Sequence, residues 1–330
     1  MKKNITYLCM AAAALLVSSC TQNEEITPTI ENEGRVPVQF SANLGNYVEI
    51  DTKTLDDTWG SLAKIAISMY DTEGELLDEA PYRVSYDSSS GEAESSSATF
   101  VPDSNNDILY FPIDGENVTF KACSPNENFK DGLWEADLSD QSNGIPLYFD
   151  LMTTTASSNE KTYNETAPSV SLEFEHRLTY LMLVVSRGEG FGNAATDGLK
   201  GLQVTLTNQK TSVSYNLSTD VLTSETTGDI KMSSRNSQSS SIYITMHVSA
   251  IVYPGAVSSD SKLVFTLGEE TFTTDLPAES FTAGSKLTYN VTLNRYKAEA
   301  DVTATITGKW NVEEGEDIEI TEEPATTEVP

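Results

Sequence analysis

The sequence predicts an all-β protein: two sandwich domains in tandem, with a further strand after the second. Three observations carry that expectation. Short runs alternating apolar with polar residues recur along the chain, Gly or Asx turns separate most of them, and no stretch keeps a long 3.6-residue period. A helix needs that period to bury one face, so strands like these must pack sheet on sheet. Beyond the first nineteen residues the chain is long enough for two domains of about 150 residues each.

The chain starts Met1-Lys2-Lys3, followed by an apolar run from Tyr7 to Val17. That run has the length of a signal-peptide core and is too short to span a bilayer as a helix. Leu16-Val17-Ser18-Ser19-Cys20 then resembles a lipobox, with Val17 where Leu is commoner. Small Ser18 and Ser19 give a peptidase access to the bond between Ser19 and Cys20, and the Cys20 thiolate takes the lipid. Residues 1–19 are thus expected to be a signal peptide and Cys20 the lipidation site, attaching the protein to the outer membrane. The plainer alternative is an ordinary secretory signal followed by a chance cysteine. Residues 20–35 are acidic and polar with one proline, and read as a tether.

The first sandwich is expected over 36–160. Val36–Leu44 alternates, with Pro37 suggesting an edge strand. A turn-rich stretch, 49–58, leads to a strand at Lys64–Tyr70, and Asp71-Thr72-Glu73-Gly74 makes its turn. The Ser-rich stretch 85–97 reads as a loop or polar hairpin. Ile108–Ile113 and Asn117–Cys123 are expected to pair as a hairpin across Asp114-Gly115-Glu116. The connection 153–167 is polar and holds the boundary, placed between 160 and 161. The second sandwich, 161–296, opens on a clean period-2 strand, Ser169–His176, and a more continuously apolar one, Leu178–Ser186. Further strands are expected at Gly201–Thr207, Ser212–Leu217, Ser241–Tyr253, Lys262–Leu267, Glu270–Leu276 and Lys286–Leu293. The extension, 297–330, alternates again at Asp301–Thr307, continues through Lys309–Val312, and has Ile318 and Ile320 in step before an acidic end.

The formal net charge is -30, from 50 acidic and 20 basic residues. Such a surface repels phosphate backbones and anionic headgroups, which excludes nucleic acid as a partner and leaves lipid on Cys20 as the route to a membrane. Of the 3 cysteines, Cys9 leaves with the signal and Cys20 is acylated, so Cys123 has no partner for a disulfide. Its alternating surroundings read as a buried, inert thiol.

Catalytic patterns are missing from the sequence. There are 2 histidines. His176 is in phase with Val170, Leu172 and Phe174, and His247 sits in an apolar strand, so both read as hydrogen-bonded core or edge residues. Gly188-Glu189-Gly190-Phe191-Gly192 lacks the ending of a phosphate loop and precedes no helix. Asp103, Asn105 and Asp107 have the spacing of the first calcium-loop ligands, but Ile108 holds the place of the required Gly, and Asp114 stands where a bidentate Glu belongs. Trp59, Trp134 and Trp310 fit a sugar platform less well than core or interface packing. The expectation is therefore a non-enzyme with no cofactor and no metal.

Several segments together resemble the fimbrillin family of Bacteroidales surface pili: Tyr110-Phe111-Pro112 with Val118–Pro125, Leu172–Thr179, Ala250–Pro254, and Phe281–Asn294. Glu24-Glu25 behind the lipobox resembles the export tag of surface lipoproteins in the Bacteroidetes. The resemblance implies two transthyretin-like, Greek-key sandwiches and lipoprotein export to the cell surface. It also implies assembly with other fimbrial subunits by strand exchange: a protease cuts the loop after the first strand, that strand leaves, and a neighbour's C-terminal strand fills the groove. The leaving strand is then Val36–Leu44, with Val36, Val38 and Phe40 as one inward set. The donor is drawn from Val302–Ile320, with Val302, Ala304, Ile306, Ile318 and Ile320 as its apolar positions. The family's cut follows an Arg, whereas here Asp51-Thr52-Lys53-Thr54 offers Lys53, and Arg35 is the nearby Arg. Both are candidate cleavage residues. Without a cut, the chain suits a lipid-retaining fimbrial anchor. A monomeric surface lipoprotein binding glycan or host protein is the competing class.

Overall fold

The structure is a computed structural model that describes residues 34–44, 59, 63–85, 96–143, 146–193, 197–236, 243–276, 278 and 280–295, with 236 and 299–305 as backbone alone. Strands are numbered along the chain. A closed barrel takes β1 (Gln39–Leu44), β2 (Lys64–Tyr70), β3 (Leu76–Val84), β4 (Ser97–Pro102), β5 (Thr119–Ser124), β8 (Met152–Thr154) and β9 (Ser169–His176). Its order is β1-β4-β3-β2-β5-β8-β9. Seven short strands have few inward positions each, so large aromatics fill the interior: Phe40, Tyr82, Phe100, Phe111, Phe120 and Phe174 are all buried there.

A second core lies under a nine-stranded sheet. Its strands are β10 (Thr179–Arg187), β11 (Gln203–Lys210), β14 (Thr227–Lys231), β15 (Ser233–Asn236), β16 (Thr245–Val252), β18 (Lys262–Leu267), β19 (Glu270–Asp275), β21 (Lys286–Asn294) and β22 (Glu299–Thr305). They run β14-β11-β18-β19-β22-β21-β10-β16-β15. A four-stranded sheet, β13-β12-β7-β6, shares the core; it contains β6 (Phe129–Lys130), β7 (Leu133–Asp137), β12 (Ser212–Asn216) and β13 (Val221–Thr223). β17 (Gly255–Ala256) and β20 (Ser280–Phe281) form a small separate pair. Leu181, Leu183 and Val185 of β10 alternate inward against Trp134, Val213 and Tyr215, as period-2 sheet packing requires.

The all-β expectation holds, and β2, β9 and β18 have the bounds read from sequence. One feature differs. Ile108–Ile113 does not pair with β5. Val38 N–H donates to Leu109 O at 2.9 Å and Phe111 N–H to Val36 O at 3.0 Å, so this segment lines up beside the entry to β1. Pro112 carries no N–H and halts any ladder toward the turn. There Gly115 adopts φ +75° and donates to Pro112 O at 3.2 Å. The barrel includes β9, while Ala66, Cys123, Trp134, Leu138 and Leu151 lie in the second core. Alternation says that a face is buried, but not against which sheet.

Candidate functional site: the slot held by β1

β1 closes the barrel between two different neighbours. It runs antiparallel to β4 over four registered pairs, Phe40↔Phe100 to Asn43↔Ser97. It runs parallel to β9 over six, Gln39↔Ser169 to Leu44↔Phe174. Val38, Phe40, Ala42 and Leu44 point inward and are buried. The inward set expected at Val36, Val38 and Phe40 therefore extends to Leu44, with Val36 only partly buried against the core. Phe40 meets Tyr82 edge-on at 5.0 Å and Phe120 at 5.1 Å between ring centroids. The outer face is neutral and polar, and Ser97 Oγ donates to Asn43 Oδ1 at 2.5 Å. Removing β1 would leave two unpaired ladder edges over an apolar floor, a template for another strand.

Both ends of β1 are fastened. On the entry side Arg35 lies over the Tyr110 ring at 5.4 Å and donates to Tyr110 O at 3.3 Å. Beyond the exit, Trp59 is wedged edge-on between Phe100 and Phe174, each at 5.1 Å. Lys53, between Leu44 and Trp59, lies outside the described residues, as do Ser19 and Cys20.

The proposed donor falls partly on β22. Val302 and Ala304 stand opposite Val291 and Tyr289 in the chain's own sheet, within a seven-pair antiparallel ladder from Thr288↔Thr305 to Asn294↔Glu299. Ile306, Trp310, Ile318 and Ile320 lie outside the described residues. At the root of the extension, Arg295 donates to Glu270 Oε2 at 2.8 and 2.9 Å and to Asp197 Oδ2 at 2.5 Å, over the Phe191 ring at 4.2 Å. These bonds lower the Asp197 carboxyl below its usual range and raise the Arg295 guanidinium. Gly188, in the glycine-rich loop, is required by close approach: a Cβ there would lie 2.0 Å from Asn294 Oδ1.

The remaining sequence candidates have structural places. His176 is buried with Nδ1 3.0 Å from Asp150 Oδ1, a partner 26 residues away that no local pattern reveals. Cys123 is fully buried, and burial pushes its thiol pKa up. Trp134 Nε1 donates to Pro125 O at 3.0 Å inside the second core. Asp103 is engaged by Lys64 at 3.0 Å and Arg83 at 3.8 Å. Among the described residues no His, Cys, Asp and Glu group of three or more is arranged to hold a metal ion.

A barrel closed by one short strand, followed by a nine-stranded sheet whose last strand in sequence, β22, lies between β19 and β21, defines the protein as all-β with two cores. The chain belongs to the fimbrillin-like family, which matches residues 52–310. A candidate fimbrium subunit of Bacteroides uniformis, Fim1C, is 27% identical over 310 residues, covering 89% of this chain and 92% of that protein. The crystal structure of a candidate cell adhesion protein from Bacteroides uniformis has the same fold, with TM-score 0.60 at 23% identity, covering 82% of this chain and 96% of that one. Another candidate cell adhesion protein, from Bacteroides ovatus, gives TM-score 0.58 at 17% identity over 85% and 99% of the two chains.

Proposed function

We propose that the protein is a structural or adhesive subunit of cell-surface fimbriae, exported as a lipoprotein through Cys20 and assembled by strand exchange at the β1 slot. The observation that carries the reading is β1 itself: a six-residue strand with buried alternate side chains is all that separates a closed barrel from an open groove with two edges. Cleavage at Lys53 would detach β1 from Trp59 and free the slot. Cleavage at Arg35 would remove the tether and leave the slot filled. The donor is drawn from Val302–Ile320 of a neighbouring subunit.

One observation favours a second reading. Lys53 stands where the resemblance calls for Arg, so an Arg-specific protease leaves β1 in place, and an uncut, lipid-bearing subunit suits the base of a fimbrium. N-terminal sequencing of surface protein separates the two readings: a polymerising subunit begins past residue 50, and an anchor keeps acylated Cys20. Deleting 306–330, which spares β22, should abolish oligomers. A monomeric binder of glycan or host protein would be unaffected by that deletion, and unaltered oligomers would refute strand exchange.

A further inference from the structure

Resting on the strand-exchange reading, we propose that the segment entering a neighbour's β1 slot is Ile306–Val312, that it enters in the direction opposite to β1, and that Trp310 takes the Phe40 pocket. β22 already has an occupation. Seven registered pairs with β21 and the flanking β19 hold Glu299–Thr305 in its own sheet, and withdrawing it would expose the β21 edge. The next residues, Ile306-Thr307-Gly308-Lys309-Trp310-Asn311-Val312, place Ile, Gly, Trp and Val at alternate positions with polar residues between them. A strand of that pattern puts those four on one face.

The slot is selective for size. Its four inward positions hold Val38, Phe40, Ala42 and Leu44, with relative exposures of 5%, 2%, 0% and 4%. In β1's own direction, Trp310 would have to occupy the position of fully buried Ala42, while Gly308 would leave the space between Tyr82 and Phe120 empty. Close-packed interiors tolerate neither change. Read backwards, the order matches: Val312 for Val38, Trp310 for Phe40, Gly308 for Ala42 and Ile306 for Leu44. The loss of the Ala42 methyl beside the Phe40 site gives space toward the larger indole. Asn311, Lys309 and Thr307 then take the outward positions of Gln39, Ser41 and Asn43. Reversal also turns the six-pair parallel contact with β9 antiparallel, the more stable arrangement, while the four-pair contact with β4 becomes parallel.

Direction can be read by cross-linking. In the reversed strand Thr307 stands where Asn43 now faces Glu173, and in the unreversed strand it stands where Gln39 faces Ser169. The full chain is coexpressed in assembling cells as T307C with E173C, and separately as T307C with S169C. Directly opposed cysteines are close enough to bond, and native Cys123 is buried. The expected result is intermolecular disulfides from the E173C pair in surface oligomers and none from the S169C pair. Cross-linking through S169C instead overturns the direction, and oligomers with neither cross-link overturn the choice of segment. Wild-type chain that forms no oligomers would refute strand exchange itself. Trp310→Ala should weaken assembly about a hundredfold or more, and Gly308→Leu should block it. Assembly improved by Gly308→Leu would refute the reversed fit.

Discussion

Phe40→Ala tests how firmly the barrel holds its closing strand. Phe40 is buried and contacts Tyr82 and Phe120 edge-on, at 5.0 and 5.1 Å. Truncating a buried Phe to Ala costs about 3–5 kcal/mol, and each aromatic pair adds about 0.5–1.5 kcal/mol beyond its area. Two such pairs place this site in the upper half of the range, at about 4 kcal/mol. Since about 1.4 kcal/mol is tenfold, opening of β1 becomes roughly a thousandfold more favourable. The change sits on the strand rather than on the slot, so the slot keeps its Tyr82 and Phe120 walls. Urea unfolding of the barrel measures the loss, and hydrogen exchange at Gln39–Leu44 shows where it falls. A cost below about 1 kcal/mol, or faster exchange spread evenly over both cores, would refute the reasoning.

Three further outcomes follow from the geometry. Burial holds the Glu79 carboxyl above its ordinary 4.5, against the opposing effect of the Ser68 hydroxyl at 2.8 Å. The folded state then binds more protons than the unfolded one, and stability falls as pH rises through and above that value. Glu79→Gln should melt higher than wild type at pH 7 and equal to it below about pH 4; equal melting temperatures at pH 7 would contradict this. Gly188→Ala should cost about 1–3 kcal/mol, because its Cβ must displace Asn294, whose Oδ1 accepts the Glu189 N–H at 2.7 Å, and faster exchange at 292–295 would report it. Cys123 should resist a thiol reagent in the native protein and react fully in denaturant; rapid native labelling would show that the second core opens.

Strands whose two faces see different environments were legible from the chain alone. β9 buries Val170, Leu172, Phe174 and His176 and leaves the alternate residues toward solvent, so its period marks both ends. β3 was missed because Asp78, Glu79 and Pro81 interrupt its run, although Pro81 is accommodated opposite Ala66. Leu109 and Phe111 are buried as a strand's residues would be, yet they satisfy their backbone beside Val36 and Val38. The slot was half legible: the alternation of Val36–Leu44 marked the strand, but its parallel contact with β9, more than a hundred residues on, is a tertiary fact. His176 could be read as a buried, bonded histidine, whereas Asp150 could not be named as its partner.

The continuity of β9, which forms one wall of the slot, into the second sheet has a mechanical consequence. β9 runs through Arg177 and Leu178 directly into β10, β10 pairs side by side with β21 over eight residues, and β21 turns into β22. A pull applied between the slot and the tail would therefore load these ladders lengthwise, all their hydrogen bonds sharing the force at once rather than parting one after another. A fibre linked through such subunits would stretch little before it breaks.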